Sequence, residues 1–99
     1  MVKHIVMWKL DDVLSQVEKD SIKKQFKEEL EKLDDIMDGI IHIRVLIDPL
    51  SSSNMDIMLD SAFASVEVLD AYQKHPLHQN VAQLLKGKVL SRNCMDYQE

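Results

Sequence analysis

The apolar residues of this chain follow a two-residue period in some stretches and a helical period in others. Residues 2–10 alternate as a strand that is apolar on both faces, which is the pattern of a strand covered on both sides. We expect one face to lie under helices, and it carries His4, Val6, Trp8 and Leu10. The opposite face carries Ile5 and Met7.

A long amphipathic helix is predicted next, over residues 14–33. Its apolar positions recur every three to five residues and are Leu14, Val17, Ile22, Phe26, Leu30 and Leu33. The charged residues between them form a solvated face. Ser15 and Asp20 can each cap a helix start, so the pattern leaves the first turn open.

Three more strands and a second helical region complete the pattern. The strands are predicted at residues 40–48, 55–64 and 88–97, with a serine-rich loop at 49–54. Ser65 can cap a helix that runs to Lys74, and a second helical piece covers residues 77–86 before Gly87. The helical region is divided because Pro76 disfavours helical geometry at the residue before it.

The order strand, helix, strand, strand, helix, strand predicts one α+β domain over residues 1–99 with the ferredoxin-like topology. In that topology the helices cover one face of a four-stranded antiparallel sheet and leave the other face open. We assign to the open face Ile5, Met7, Ile41, Ile43, Val45, Ile47 and Met58. An apolar surface of this size needs a partner, and a second copy of the chain is the simplest one.

Composition narrows the functional classes. The 99 residues include 12 basic and 17 acidic side chains, and the net charge of −5 argues against nucleic acid as a partner. No apolar run approaches the roughly 20 residues of a membrane span, and we expect no membrane partner. A single cysteine, Cys94, and no apparent signal peptide fit a cytoplasmic protein. The histidines, acids and cysteine show no metal-ligand spacing, so we expect no metal.

The strongest chemical signal lies around Pro76, which separates His75 from His78. His78 falls in the first turn of the second helical piece, where the helix dipole favours the neutral ring. A neutral imidazole at pH 7 is what a general base requires. The alternative is that the proline only breaks the helix and both histidines face water.

Four segments, at residues 2–10, 63–67, 71–78 and 95–97, together resemble the stress-responsive dimeric α/β-barrel (Dabb) family over nearly the whole chain. The resemblance implies a homodimer in which two sheets face each other as a barrel, with no firm activity. It also implies a cavity between sheet and helices for a small organic molecule. The residues we expect to line this cavity are His4, Val6, Trp8, Phe26, Ile57 and Leu59.

One branch of that family, the plant polyketide cyclases of the olivetolic acid type, closes rings by aldol condensation without a cofactor. Their catalytic tyrosine and histidine are matched by Tyr72 and His78, and a pocket histidine by His4. The resemblance implies that His78 removes an α-proton while the Tyr72 hydroxyl holds the enolate or orients His78 through a hydrogen bond. Where these cyclases have another pocket histidine, this chain has Ile57. Arg92 can also reach the helix side and change the polarity of the pocket.

Two functions follow from the sequence and stay open. One is a non-catalytic dimer with a stress-linked or ligand-binding role. The other is a cofactor-free lyase or isomerase that uses His78 and Tyr72.

Overall fold

The computed structural model describes residues 1–99 and contains four strands and three α-helices. In chain order they are β1 (Val2–Leu10), α1 (Gln16–Glu31), β2 (Ile40–Leu46), β3 (Ile57–Phe63), α2 (Val66–Lys74), α3 (Pro76–Ala82) and β4 (Val89–Gln98). Short 3-10 turns follow α1 at Lys32–Asp35 and α3 at Gln83–Leu85. None of the helices has the length and apolar character needed to cross a bilayer.

The four strands form one sheet in the order β2-β3-β1-β4, and every neighbouring pair is antiparallel. This confirms the predicted ferredoxin-like α+β fold. The first and last strands of the chain lie side by side, so His4 is paired with Asp96 and Trp8 with Arg92. Residues from opposite ends of the sequence therefore meet at one edge of the sheet.

The start of α1 shows which capping residue the chain uses. The Ser15 hydroxyl accepts a hydrogen bond from the Glu18 backbone N–H at 3.1 Å, and the Glu18 carboxylate accepts one from the Ser15 N–H at 2.9 Å. This reciprocal pair is a capping box, and it fixes the helix start after Ser15 rather than Asp20. The helix ends at Glu31, two residues before the predicted end.

The core lies between the helices and the face of β1 that was predicted to be covered. His4, Val6, Trp8 and Leu10 are all buried, and they alternate with half-buried residues along the strand. From the helices, the core includes Phe26, Leu30, Leu69 and Tyr72. The helix-facing assignment of β1 is therefore confirmed.

The assignment of β2 to the open face is wrong for most of its residues. Val45 lies opposite Leu59 and Ile43 opposite Ser61, both on the helix side, and both β2 residues are buried. Ile41 is half exposed at a register shift between Ile40 and His42. Ile47, beyond the end of β2, packs against the core. The face with Ile43 and Val45 is apolar and the opposite face carries His42 and Arg44, so the apolar face packs under the helices, whereas the prediction had given that face to a partner sheet.

The open face of the sheet is mixed in character. Ile5, Met7 and Met58 lie there as predicted, and the half-exposed Leu46 joins them because it is paired with Met58. A charged group lies beside them at Asp60. Its carboxylate is 2.5 Å from Lys3 Nζ and 2.8 Å from Arg44 Nη2, and it is also 3.4 Å from His42 Nε2. The hydrogen bond from Lys3 lowers the pKa of Asp60 to about 2, with smaller contributions from His42 and Arg44.

A candidate ligand cavity with two histidines

A cavity of about 350 Å³ lies on the helix side of the sheet, where β1 and β4 meet α1, α3 and the turn Gln83–Leu85. Its size is within the range of small-molecule sites. Eight of the fourteen lining residues are hydrophobic: Val6, Trp8, Phe26, Leu30, Leu59, Ala82, Leu85 and Val89. The others are His4, Gln73, His78, Lys86, Gly87 and Arg92.

Most of the residues predicted to line the cavity do so: His4, Val6, Trp8, Phe26, Leu59 and His78. Ile57 does not, and this part of the prediction is wrong. Ile57 is buried in the core on β3, whereas the cavity opens toward β4 on the other side of β1. Among the β3 residues, Leu59 alone reaches the cavity wall.

Pro76 positions His78 as the sequence predicted. His75 has an extended backbone, with φ −64° and ψ 134°, which ends α2 and allows α3 to begin at Pro76. The His75 ring accepts a hydrogen bond at Nδ1 from the Leu77 backbone N–H, 3.1 Å away, and so caps the new helix. His78 then lies in the first turn of α3, with its ring on the cavity wall.

The hydrogen bond of His78 determines its tautomer. Its Nδ1 lies 3.1 Å from the carbonyl oxygen of Gln73, and since a carbonyl can only accept, Nδ1 carries the proton. Burial is the main effect that lowers the pKa of His78, and the charges of His4 and Arg92 lower it further. The hydrogen bond to Gln73 acts in the opposite direction but does not outweigh them. The ring is therefore neutral at pH 7. Its other ring nitrogen, Nε2, makes no hydrogen bond within the protein and is not fully buried, so it is accessible to solvent.

Tyr72 lies behind His78 rather than on the cavity wall. It is fully buried, and its ring centroid lies 4.6 Å from that of His78 and 5.0 Å from that of Phe63. Its hydroxyl is buried without a hydrogen-bond partner, and burial raises the pKa of this phenol. The expected direct hydrogen bond between Tyr72 and His78 is absent: the Tyr72 hydroxyl has no partner, and His78 Nδ1 is bonded to the Gln73 carbonyl. Tyr72 contacts His78 by ring packing instead.

His4 has a hydrogen-bond partner that was not predicted from the sequence. Its Nδ1 lies 2.5 Å from Asp96 Oδ1, on the neighbouring strand. An aspartate hydrogen-bonded to an imidazole nitrogen fixes the tautomer and the orientation of the ring. The two residues are 92 positions apart in sequence, and only the antiparallel pairing of β1 with β4 brings them together. The signal was present in the alternation of β4, which places Arg92, Cys94 and Asp96 on one face.

The same corner contains three atoms of metal-binding type. His4 Nδ1, Cys94 Sγ and Asp96 Oδ1 lie within 4.8 Å of one another. The hydrogen bond between His4 and Asp96 accounts for their approach without an ion. Cys94 is exposed, and partial desolvation of its sulfur together with the Asp96 charge raises the pKa of its thiol.

The cavity also contains cations that the pattern only partly indicated. Arg92 lies on the cavity wall, as its place on the helix side of β4 implies. Lys86, just after the turn Gln83–Leu85, was not predicted, because a lysine at a helix end is typical of solvent-exposed positions. Gln73 was missed as well; it contributes its backbone carbonyl to His78.

Solved structures similar to this one share its fold over almost the full chain. A dimeric protein of unknown function with a ferredoxin-like fold from Bacteroides fragilis is 33% identical, with 99% of this chain and 95% of that chain covered and a TM-score of 0.94. A Dabb family protein from Mesorhizobium loti is 21% identical, with coverage of 99% and 95% and a TM-score of 0.69. The hydroxynitrile lyase from Passiflora edulis is 19% identical, with coverage of 97% and 90% and a TM-score of 0.71.

Comparison with curated protein sequences gives no match. The model of the stress responsive A/B barrel domain matches residues 2–99. This span includes every strand and helix described above and both histidines of the cavity. The chain therefore belongs to the Dabb family of stress responsive A/B barrel domains.

Proposed function

We propose that this Dabb domain binds a small organic molecule in the cavity beside His4 and His78. The observation that supports this most strongly is an accessible, largely apolar cavity with a neutral histidine on its wall. Apolar cavities with a few polar groups of fixed orientation are the usual form of small-molecule sites. Here Gln73 fixes the His78 ring and Asp96 fixes the His4 ring.

We also propose that the protein works as a homodimer that joins two open sheet faces. The similar protein from Bacteroides fragilis is described as dimeric. On this chain the open face carries Ile5, Met7, Leu46 and Met58. Covering these side chains with a second copy removes an apolar surface that would otherwise remain in water. The charged cluster at Asp60 on the same face gives the contact a polar component.

The ligand-binding proposal is tested by closing the cavity. Ala82 lies on the wall and is exposed, so Ala82→Phe places a ring in the open volume without entering the core. Saturation-transfer NMR with a library of aromatic and aliphatic fragments should detect binders of the wild type that this variant loses. Ala71→Phe is the matched control, because Ala71 is exposed on α2 and does not line the cavity. Equal binding by all three proteins would contradict the proposal.

A second function is supported by the free Nε2 of His78. We propose that His78 removes an acidic C–H proton from the bound molecule, as a cofactor-free lyase or isomerase requires. The proton moves to Nε2, and Nδ1–H keeps its bond to Gln73, which stabilises the imidazolium. Tyr72 acts in this scheme as a positioning residue, because it packs on the His78 ring and its hydroxyl lies outside the cavity wall.

Proton removal is measured as deuterium exchange. Phenylacetone combines an apolar ring with acidic α-protons, and the wild type in D₂O should speed the loss of its α-proton NMR signal. His78→Gln should reduce the rate to that of buffer. His75→Asn is the control, because it keeps an acceptor that can cap α3 and lies outside the cavity wall. Exchange that survives in His78→Gln would contradict the role of His78 and leave ligand binding untouched.

A further inference from the structure

The charges around the cavity differ from those of the chain as a whole. The chain carries 17 acidic and 12 basic side chains. None of the fourteen residues that line the cavity is acidic, whereas Arg92 and Lys86 both lie on its wall. A net negative protein thus has, at its candidate ligand site, a cavity with two permanent positive charges and no carboxylate.

Neither cation is neutralised by the protein. None of the nine ion pairs in the structure includes Arg92 or Lys86. Asp96, the acidic residue on the same face of β4 as Arg92, is bound to His4 at 2.5 Å. The two cations therefore remain available to a ligand.

The backbone places these cations next to apolar side chains. Arg92 is paired with Trp8 across β1 and β4, so both residues belong to the same face of the sheet. Lys86 precedes Gly87, whose φ of +76° turns the chain from the Gln83–Leu85 turn into β4. Trp8 and Phe26 line the wall with their rings 5.1 Å apart. An occupant thus meets an apolar wall and two cations in one cavity.

On the basis of the proposed function, we infer that the natural ligand is an organic anion: an apolar, ring-sized body with a carboxylate or similar acidic group beside Arg92 and Lys86. Arg92 supplies a planar fork that matches a carboxylate, and Lys86 supplies a point charge. The apolar body lies against Trp8 and Phe26. A neutral molecule of the same shape leaves both cations without a partner.

Two fluorescent probes separate the charge from the apolar body. The first is 1-anilinonaphthalene-8-sulfonate, and the second is N-phenyl-1-naphthylamine, which has the same rings without the sulfonate. For each probe, binding in the cavity is taken as the binding that the wild type shows and Ala82→Phe lacks. The variants are Arg92→Gln and Lys86→Gln, with Lys24→Gln as the control, because Lys24 is exposed on α1 and makes no ion pair.

We expect the sulfonate probe to bind the wild type more tightly than the neutral probe. Its Kd should rise about fivefold or more in Arg92→Gln, which is the scale of one charge-assisted contact. The neutral probe and the Lys24→Gln control should show no such change. Inorganic phosphate, which has charge without an apolar body, should not displace the sulfonate probe at matched concentration.

The outcomes distinguish this inference from the proposed function. If the neutral probe binds in the cavity as tightly as the sulfonate, or Arg92→Gln and Lys86→Gln leave the sulfonate Kd unchanged, the anion inference is wrong and the cavity remains a ligand site. Displacement by phosphate alone would contradict the apolar body. If neither probe shows binding that Ala82→Phe removes, both the inference and the proposed cavity function fail.

Discussion

Replacement of Tyr72 by phenylalanine should stabilise the protein. The Tyr72 side chain is fully buried and its hydroxyl has no hydrogen-bond partner. A buried polar group without a partner costs about 1–3 kcal/mol, since it has lost its bonds to water and gained none. Phenylalanine keeps the ring contacts with Phe63 and His78, at 5.0 and 4.6 Å, and removes only that oxygen.

The magnitude follows from these terms. Removal of the hydroxyl forfeits a few dispersion contacts, so the expected gain in free energy of unfolding is about 1 kcal/mol. In a domain of this length, that gain raises Tm by about 4–8 °C. Scanning calorimetry or thermal circular dichroism measures it, with all samples at one protein concentration because a dimer's Tm depends on concentration.

Tyr97→Phe is the matched control for this experiment. Tyr97 is 42% exposed, so its hydroxyl is hydrated and its removal should change Tm by little. A loss of 1 kcal/mol or more in Tyr72→Phe would refute the reasoning, because it would mean that the hydroxyl has a bonding partner. If Tyr72→Phe is more stable but no longer catalyses deuterium exchange, the Tyr72 hydroxyl takes part in proton removal.

The remaining predictions concern a buried core residue, the loss of stability at acidic pH and the turn at Gly39. Val45→Glu should unfold the chain, because Val45 is fully buried and an unpaired buried charge costs several kcal/mol. Met7→Glu, on the open face, should instead give a folded monomer. Circular dichroism reports folding and light scattering reports the dimer, and a folded Val45→Glu monomer would contradict the assignment of Val45 to the helix side. Asp60→Asn should flatten the loss of stability on acidification. The pKa of Asp60 is about 2 in the folded protein and higher in the unfolded chain, so its contribution to stability is full above about pH 4 and is lost toward pH 2. A Tm–pH profile that the substitution leaves unchanged would count against this prediction. Gly39→Ala should lower the free energy of unfolding by about 1–3 kcal/mol, because Gly39 has a φ of +95° and the added Cβ would lie 2.7 Å from the stiff Val68 side chain. Denaturant titration measures this loss, and an unchanged free energy of unfolding would contradict the predicted strain.

The order and type of the elements were predictable from the sequence because they depend on local periodicity. The alternation in β1, the capping residue before α1 and the break at Pro76 each act over a few residues. These local signals are sufficient to define the topology, since few arrangements of such elements bury one core.

The face that β2 turns inward was assigned wrongly, although the strand has one apolar face and one partly polar face. Ile43 and Val45 lie on the helix side and His42 and Arg44 on the opposite face, and the shift beside Ile41 places Ile40 against the buried core residues. The pairing of β2 with β3 determines the outcome, and pairing is a long-range property. A period of two residues separates the two faces of a strand, but it does not say which face meets the helices and which meets a partner.

The sequence predicted which residues lie near the candidate site, but not the hydrogen bonds that they make. His4 and His78 lie on one cavity as expected. Their partners, Asp96 and the Gln73 carbonyl, were missed because one belongs to a distant strand and the other is a backbone atom without a sequence signature. The role of Tyr72 changed for a related reason, since periodicity places a side chain on a face and does not direct its hydroxyl.

The most direct test of the central claim is the protonation state of His78 in ¹⁵N NMR of the imidazole rings. We expect Nδ1 to carry the proton and Nε2 to be unprotonated at pH 7, with a midpoint below the ordinary histidine pKa. The Nε2 signal should shift when a cavity ligand is added to the wild type, and should not shift in Ala82→Phe. A charged His78 ring at pH 7, a proton on Nε2, or a signal that does not respond to the ligand would contradict the account.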